Sequence, residues 1–312
     1  MRQQEDPMKA LLLFQQMLVL FAMMMTGFLA YRLGWVDRHG GQKITTLVVK
    51  VFNPLMILSS VTGKRSGDAG SLMGQNLLLA MLYFVFVILC GYLYCFIRKL
   101  PRKDGNMYLL LTSFSNLGFM GIPVVRAVFG PEYIIFIVFY LLIFNILVYT
   151  YGIFLAMGMS DKKHSFSAKS LLNTGMAACL VSVVLFFFQI QVPDPVVTFC
   201  SYMGDTAVPL SMIVIGISLA QSSFSDLFRN RETWIYLLFK MILVPVAGVL
   251  LFRFLPVNTD VFSIFTLMVS MPCAAIAGMF SQEYAGRGDE ANRIILLTTV
   301  ASVVTIPLVS LL

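Results

Sequence analysis

The sequence is poor in the residues that keep a protein surface in water. Only 12% of its 312 residues are charged, whereas 59% are hydrophobic, and soluble domains carry about 25% charged residues. Histidine occurs twice, and the five cysteines are odd in number and lie within apolar runs, which argues against a disulfide framework. These shortages exclude a domain solvated by water and indicate a chain solvated mainly by lipid.

The motifs that carry enzyme chemistry are missing as well. His39 and His164 both fall in predicted loops, there is no HExxH or GxSxG motif, and Asp205 has no second intramembrane carboxylate at a suggestive spacing. We therefore predict a protein that is not an enzyme and that uses no metal or cofactor. The net charge of +7 lies mainly in loops, so it indicates membrane topology and predicts no nucleic-acid partner.

Long apolar runs take the place of charge. A helix that crosses a bilayer needs about 20 mainly apolar residues, and runs of this length follow one another along the whole chain. We predict ten spanning helices at residues 11–33, 44–61, 77–97, 107–125, 133–157, 173–190, 196–220, 234–255, 261–281 and 292–312. The first run is too long for a signal peptide and lacks a cleavage site, so it is predicted to be the first helix.

Lysine and arginine in the connections predict the orientation. The connections after odd-numbered spans hold 14 of these residues, and the opposite side, including both termini, holds six. Cytoplasmic loops are enriched in positive charge. Both termini are therefore predicted to face outward, with the basic connection 98–103 in the cytoplasm.

A common spacing relates the two halves of the chain. Pro54 and Pro209 are 155 positions apart, and Gly130 and Gly286 are 156 apart, which is half of 312. Each half holds five spans, and an odd number forces the second half into the opposite orientation. We predict an all-α polytopic membrane protein of two inverted five-helix repeats, residues 1–157 and 173–312, with a cytoplasmic linker at 158–172.

Spans four and nine contain the strongest helix-breaking signals. Ser115, Asn116, Gly118 and Pro123 fall within span four, and Pro272 lies at the corresponding place in span nine. Proline removes a helix hydrogen bond, and the freed groups need partners that lipid does not supply. Broken helices at matching places predict a transport site where helices 4 and 9 cross, and their N-terminal ends favour an anion. Harmless kinks are the alternative.

Ionisable side chains within the apolar runs are further candidates. Lys50 precedes Pro54 by four residues, and Asp205 precedes Pro209 by four. Charges at this depth are costly and usually functional, so Lys50 is predicted to bind a carboxylate and Asp205 to hold its charge or carry a coupling proton. A structural ion pair between the two is an equal alternative. Lys240, in contrast, is predicted to extend its ammonium group to cytoplasmic water.

Asparagines complete the candidate set. Asn53, Asn116 and Asn145 can hydrogen-bond a carboxylate or hydroxylated substrate, although they can equally join helices to one another. The candidate substrate-binding and transport residues are Lys50, Asn53, Pro54, Ser115, Asn116, Gly118, Pro123, Asn145, Asp205, Pro209 and Pro272.

Four stretches of the chain resemble the auxin efflux carrier family of membrane transporters, whose bacterial members are often described as malate or malonate permeases. They read FNPLMILSSV in span two, SNLGFMGIPVV followed by AVFGPE around span four, VPLSMIVIGISLA in span seven and TTVASVVTIPL in span ten. The resemblance covers nearly the whole chain, and the span-four string is its most specific part.

The resemblance implies ten helices in two inverted repeats with a scaffold domain, a transport domain and crossed helices 4 and 9, similar to bile-acid symporters and sodium/proton antiporters. It places Asn116, Pro123 and Pro272 beside the substrate. The chain lacks the large central hydrophilic loop of the long plant members, which implies a short carrier of prokaryotic type in the cytoplasmic membrane.

Together these features predict a secondary transporter or permease that moves a small organic anion by alternating access. An ion-coupled cation/proton antiporter, or a channel or sensor on the same fold, is the alternative. The predicted partners are a small organic anion and the lipid bilayer, while proton or sodium coupling and a homodimer are left open.

Overall fold

The computed structural model describes residues 5–62, 69–159, 174–221, 231–285 and 287–312, and most of these residues lie in helices. The helices are α1 (Glu5–Arg32), α2 (Arg38–Leu47), α3 (Asn53–Thr62), α4 (Ala69–Arg98), α5 (Arg102–Ser113), α6 (Ile122–Phe129), α7 (Ile134–Leu147), α8 (Ile153–Met157), α9 (Thr174–Phe187), α10 (Asp194–Gln221), α11 (Arg231–Leu238), α12 (Val244–Phe252), α13 (Thr259–Ser270), α14 (Ala275–Ala285) and α15 (Gly288–Val309).

Helical residues occupy most of each predicted span, but only some spans are continuous. Among the described residues, five helical stretches are long and apolar enough to cross a membrane, namely Phe14–Arg32, Leu72–Arg98, Asp194–Gln221, Arg231–Phe252 and Glu290–Val309. A sixth is added if Pro131–Leu147 and Thr150–Met157, bent by 40°, form one span. The fold is therefore that of a helical membrane protein. Ten spans in inverted repeats remain a prediction, because spans two, four, six and nine are not among the stretches that are long and apolar enough.

Apolar side chains on the outside of α4 agree with a lipid environment. Leu78, Val85, Leu89 and Phe96 are 49%, 56%, 61% and 80% exposed. A continuous apolar stripe of this kind is unusual on a soluble monomer and is the normal surface of a helix that faces lipid.

Widened π-helical turns precede three prolines. The turns are Val48–Phe52, Leu117–Gly121 and Phe239–Leu243, and prolines follow at positions 54, 123 and 245. A proline ring clashes with the carbonyl four residues before it, and in each case that carbonyl lies inside the π turn. Pro209 instead lies within the continuous helix α10, so the related positions Pro54 and Pro209 differ in local structure.

The helices form two compact units, and each takes helices from both halves of the sequence. The first unit contains α1, α2, α3, α6, α9, α10 and the start of α7. The second unit contains most of α4, α5, the end of α7, α8 and α11 to α15. The repeat boundaries therefore do not coincide with the units, and the linker 158–172 lies almost entirely outside the described residues.

In the first unit, α1 and α10 pack backbone to backbone. A Cβ atom on Gly27 would overlap the carbonyl oxygen of Ile213, and one on Gly216 would overlap that of Met24. Glycine allows this close approach, as is common between membrane helices.

An aromatic cluster forms part of the core of the second unit. The rings of Tyr94, Tyr108 and Tyr236 pack with centroids 5.0 to 5.4 Å apart. At the edge of this cluster, Glu232 accepts hydrogen bonds from the Tyr94 hydroxyl at 2.5 Å and from Arg98 Nη2 at 2.5 Å. These bonds join the end of α4 to the start of α11.

Arg287 makes a second tie in the same unit. Its guanidinium donates to Asp104 Oδ1 at 2.5 Å and to Glu290 Oε2 at 2.6 Å. Burial lowers the pKa of Arg287, but the hydrogen bonds to Glu290 and Asp104 and the charges of these carboxylates outweigh it and raise the net pKa above the ordinary value. The start of α15 is thereby held to the start of α5.

Candidate functional site

The breaks in spans four and nine pair with each other in the second unit. The Asn116 backbone N–H donates to the carbonyl oxygen of Pro272 at 2.7 Å, and that of Ala274 donates to Phe114 at 2.9 Å. Ser115 and Cys273 lie opposite each other in this antiparallel bridge. We call the paired segments Phe114–Asn116 and Pro272–Ala274 the crossover. Unpaired backbone at these breaks would be costly, and each break supplies partners to the other.

Four helix ends meet at the crossover. Helices α5 and α13 end just before it, at Ser113 and Ser270, while the π turn from Leu117 and helix α14 from Ala275 begin just after it. Helix N-terminal ends carry partial positive charge and C-terminal ends partial negative charge. The crossover therefore contains two ends of each sign, whereas the sequence-based preference for an anion considered the N-terminal ends alone.

A buried lysine contacts the crossover. Lys240 is 0% exposed, and its Nζ donates to Ser115 Oγ at 2.8 Å and to the carbonyl oxygen of Thr112 at 3.2 Å. The prediction that this ammonium extends to water is wrong. The π turn Phe239–Leu243 packs against α15, so Lys240 is buried within the protein. Hydropathy does not indicate which face of an apolar helix meets protein and which meets lipid or water.

Neighbouring hydroxyls hold this arrangement in place. Thr112 Oγ1 donates to the carbonyl oxygen of Tyr108 at 2.7 Å, so the Tyr236 hydroxyl, 2.9 Å away, donates to Thr112. The Cys273 backbone N–H donates to Thr298 Oγ1 at 3.3 Å. Ser115, Thr112 and Thr298 are fully buried, so the crossover is a hydrogen-bonded polar cluster inside the apolar second unit.

Lys50 lines an apolar groove in the first unit. The groove has a volume of about 400 Å³ and is lined by Lys50, Val51, Pro54, Leu55, Leu58, Thr174, Ala177, Ala178 and Val181. Lys50 is exposed, Pro54 is buried, and Asn53 is half-buried between them in sequence. The Asn53 side-chain oxygen is buried and has no hydrogen-bond partner among the described residues. A single cation beside apolar side chains suits an amphiphilic anion.

Asp205 forms an ion pair with Arg126. Within the first unit, Arg126 Nη2 of α6 donates to Asp205 Oδ1 of α10. The alternative of a structural ion pair between Lys50 and Asp205 is therefore wrong for the described residues, because the ion-pair partner of Asp205 is Arg126. The Nη1 atom of Arg126 is buried and without a hydrogen-bond partner among the described residues.

The remaining candidates are distributed over both units. Asn116 is 7% exposed, and Asn145 is half-buried in α7 within the second unit. Gly118 lies in the π turn that follows the crossover, and no atom outside its own helix lies within 4 Å of where its Cβ would be. Pro123 is buried at the start of α6, and Pro209 is half-buried within α10.

Sequence reasoning missed Arg126 and misjudged Lys240. Arg126 directly follows the quoted string SNLGFMGIPVV, one residue beyond the predicted end of span four. Lys240 precedes Pro245 by five residues inside an apolar run, as Lys50 precedes Pro54 by four. A search for lysine just before an intramembrane proline finds both lysines.

Comparisons with known proteins agree with a membrane carrier. A family model described as "Membrane transport protein" matches residues 12–174 and 163–310. An uncharacterized transporter of Methanothermobacter thermautotrophicus is 23% identical over 303 residues, which cover 94% of this chain and 96% of the relative.

Proposed function

Because the chain belongs to the membrane transport protein family, that of the auxin efflux carriers, we propose that it is a secondary transporter that moves a small organic anion by alternating access. One observation carries the proposal, namely the pairing of Phe114–Asn116 with Pro272–Ala274 inside the second unit. Broken helices with polar groups at their ends are the usual binding elements of such carriers.

The charges near the proposed site favour an anion. Among the described residues, Lys240 is the charged side chain that contacts the crossover, and Asn116 adds an amide able to donate to a carboxylate. In this proposal the second unit is the transport domain and the first unit the scaffold, within ten helices arranged as two inverted repeats. Lys50 and Asn53, in the groove of the first unit, are proposed to contact the anion on its path.

Alternating access gives the test of this function. Protein purified and reconstituted into liposomes should take up a radiolabelled small carboxylate with saturable kinetics, and unlabelled carboxylate on the far side should accelerate exchange. A channel gives flux that does not saturate in this way and shows no exchange. A cation/proton antiporter moves sodium or potassium against protons and leaves the carboxylate outside.

The variant Asn116→Ala tests whether Asn116 takes part in binding the carboxylate. It should reduce carboxylate uptake at least about tenfold, since a lost hydrogen bond to a charged group is worth about 1.5–3 kcal/mol. Asn258→Ala is the control, because Asn258 caps α13 at the end away from the crossover by accepting from the Asp260 N–H. Equal uptake by both variants and the unaltered protein would contradict a site at Asn116.

A further inference from the structure

Two hydrogen bonds align α9 with the helical segment that contains α3 in the first unit. The Thr174 hydroxyl donates to the carbonyl oxygen of Val49 at 3.5 Å, and the Ser182 hydroxyl donates to that of Ile57 at 3.4 Å. The partners are 125 positions apart in both cases. The two helices therefore run in the same direction and in register, and their starts lie at the same end.

The groove between these helices is polar at one end and apolar along the rest. Its polar lining residues, Lys50 and Thr174, lie near the start of the parallel pair, and Leu58 and Val181 lie further along. From position 50 to position 58 a helix rises about 12 Å. One leaflet of the hydrocarbon core is about 15 Å deep, so the groove has the length of a chain segment within one leaflet.

The apolar part of the groove is open to the surroundings of the protein. Ala177 and Ala178 are short, so that α9 leaves space beside Leu55 of α3. Ala177 is exposed, and Val181 is 48% exposed. In a helical membrane protein an open apolar surface of this kind meets lipid chains.

The polar end has an excess of positive charge. The helical segment 38–62 contains Arg38, Lys43 and Lys50 but no Asp or Glu, and α9 carries no charged residue. All three cations are exposed, and none of the ion pairs among the described residues includes Lys50. In the predicted orientation both helices start on the cytoplasmic side, where basic pockets between helices attract anionic headgroups.

We propose that this groove binds one anionic phospholipid of the cytoplasmic leaflet, with its phosphate at Lys50 and one acyl chain along Leu55, Leu58 and Val181. The lipid is a bound ligand of the first unit and is not transported, so the inference goes beyond the proposed transport function. A carboxylate on its transport path reaches Lys50 only by displacing the headgroup.

The first test compares three probes on the unaltered protein, depleted of lipid in detergent. Native mass spectrometry measures binding of the first molecule of phosphatidylglycerol, of phosphatidylcholine with the same chains, and of glycerol 3-phosphate, which has no chains. Phosphatidylglycerol should bind about fivefold more tightly than phosphatidylcholine, because one lysine near an anionic headgroup contributes about this factor. Equimolar glycerol 3-phosphate should not displace it, because it buries no apolar surface.

Two outcomes overturn the proposal. Equal binding of the two phospholipids means that the groove does not recognise a negative charge. Displacement of phosphatidylglycerol by equimolar glycerol 3-phosphate means that the occupant is a small anion and not a lipid.

Variants at the polar end test the headgroup contact. Lys50→Gln should abolish the fivefold preference for phosphatidylglycerol, while Lys50→Arg, which keeps the charge, should retain it. Lys99→Gln is the control, because Lys99 is an exposed lysine of the basic connection 98–103 in the second unit. A Lys50→Gln protein that still prefers phosphatidylglycerol fivefold contradicts the role of Lys50.

A variant in the apolar part tests the chain contact. Ala177→Phe places a ring in the groove and should weaken binding of both phospholipids. Val184→Phe is the matched control, since Val184 is an exposed apolar residue of α9 that does not line the groove. Unchanged lipid binding by Ala177→Phe contradicts an acyl chain in this groove.

A photoreactive lipid locates the site. Phosphatidylglycerol with a diazirine in one acyl chain should label positions 55–58 or 177–181, whereas label confined to the exposed apolar face of α4 indicates bulk lipid and overturns the proposal. Lipid binding does not require transport. A protein that takes up no carboxylate therefore contradicts the transport function and leaves the lipid site standing, and the probe comparison decides the lipid site alone.

Discussion

The carboxylate of Asp205 is held by the guanidinium of Arg126, and this pair joins α10 to α6 in the first unit. Arg126 is partly covered, with 21% of its side chain exposed, while Asp205 is 56% exposed. An ion pair with one covered partner restricts the side chain of the other. We therefore assign to Asp205 the role of joining α10 to α6, in preference to a role in proton or sodium coupling.

A charge exchange tests this pair. Arg126→Asp and Asp205→Arg each place two like charges side by side, so each should lower the melting temperature by a few degrees. The double exchange restores an opposite-charge pair and should recover about half of the loss. Lys50→Gln, which removes an exposed cation of the same unit, should not change the melting temperature. A double variant as unstable as the sum of the single variants contradicts the pair.

Residue-level prediction worked where the signal is local. Proline and glycine act on their own backbone, so the breaks near Asn116 and Pro272 could be predicted from the sequence. The partner of Asp205 and the burial of Lys240 depend on which helices pack together. Hydropathy and spacing do not contain that information, which is why Arg126 was missed and Lys240 was wrongly placed in water.

Among helices, close backbone contact is the main feature of the first unit. Gly27 of α1 and Gly216 of α10 lie where any side chain would overlap a backbone carbonyl of the opposite helix. Backbone atoms have no rotamers that could relieve such an overlap. The two helices must therefore separate if either glycine is replaced.

Gly216→Ala should destabilise the protein by about 1–3 kcal/mol, because it forces overpacking against a rigid neighbour. Gly74→Ala is the matched control, since Gly74 is also helical and no atom outside its own helix lies within 4 Å of the added Cβ. There alanine should be neutral or stabilising by up to about 1 kcal/mol. Thermal unfolding in detergent measures both, and equal melting temperatures for the two variants would falsify the close contact.

At the scale of the molecule, the sequence predicted the helices better than their grouping. The long apolar runs predict the presence and approximate bounds of α1, α4 and α10, because composition alone determines which segments lipid can solvate. The two units assemble helices that are far apart in sequence. A spacing of 155 or 156 residues indicates a repeat, but it does not say which helices pack into one unit.

Orientation is a prediction of the whole chain, and single cysteines on a cysteine-free background test it. Lys103→Cys, in the first turn of α5, is expected on the cytoplasmic side. Glu132→Cys, in the short turn between α6 and α7, is expected outside. Both positions are exposed. A membrane-impermeant maleimide added to intact cells should label only the Glu132 variant, and the reverse result means that the termini face inward.

The crossover also constrains how the protein is made. During synthesis the break at Asn116 leaves the ribosome about 156 residues before its partner Pro272. Until then the Asn116 N–H lacks its acceptor, and unsatisfied backbone is not tolerated in the hydrocarbon core. Either the translocon shelters the first half, or that half stays near the membrane surface until the second half arrives. In ribosome-bound chains that end before position 272, span four should therefore either cross-link to the translocon or be open to proteases and labelling reagents.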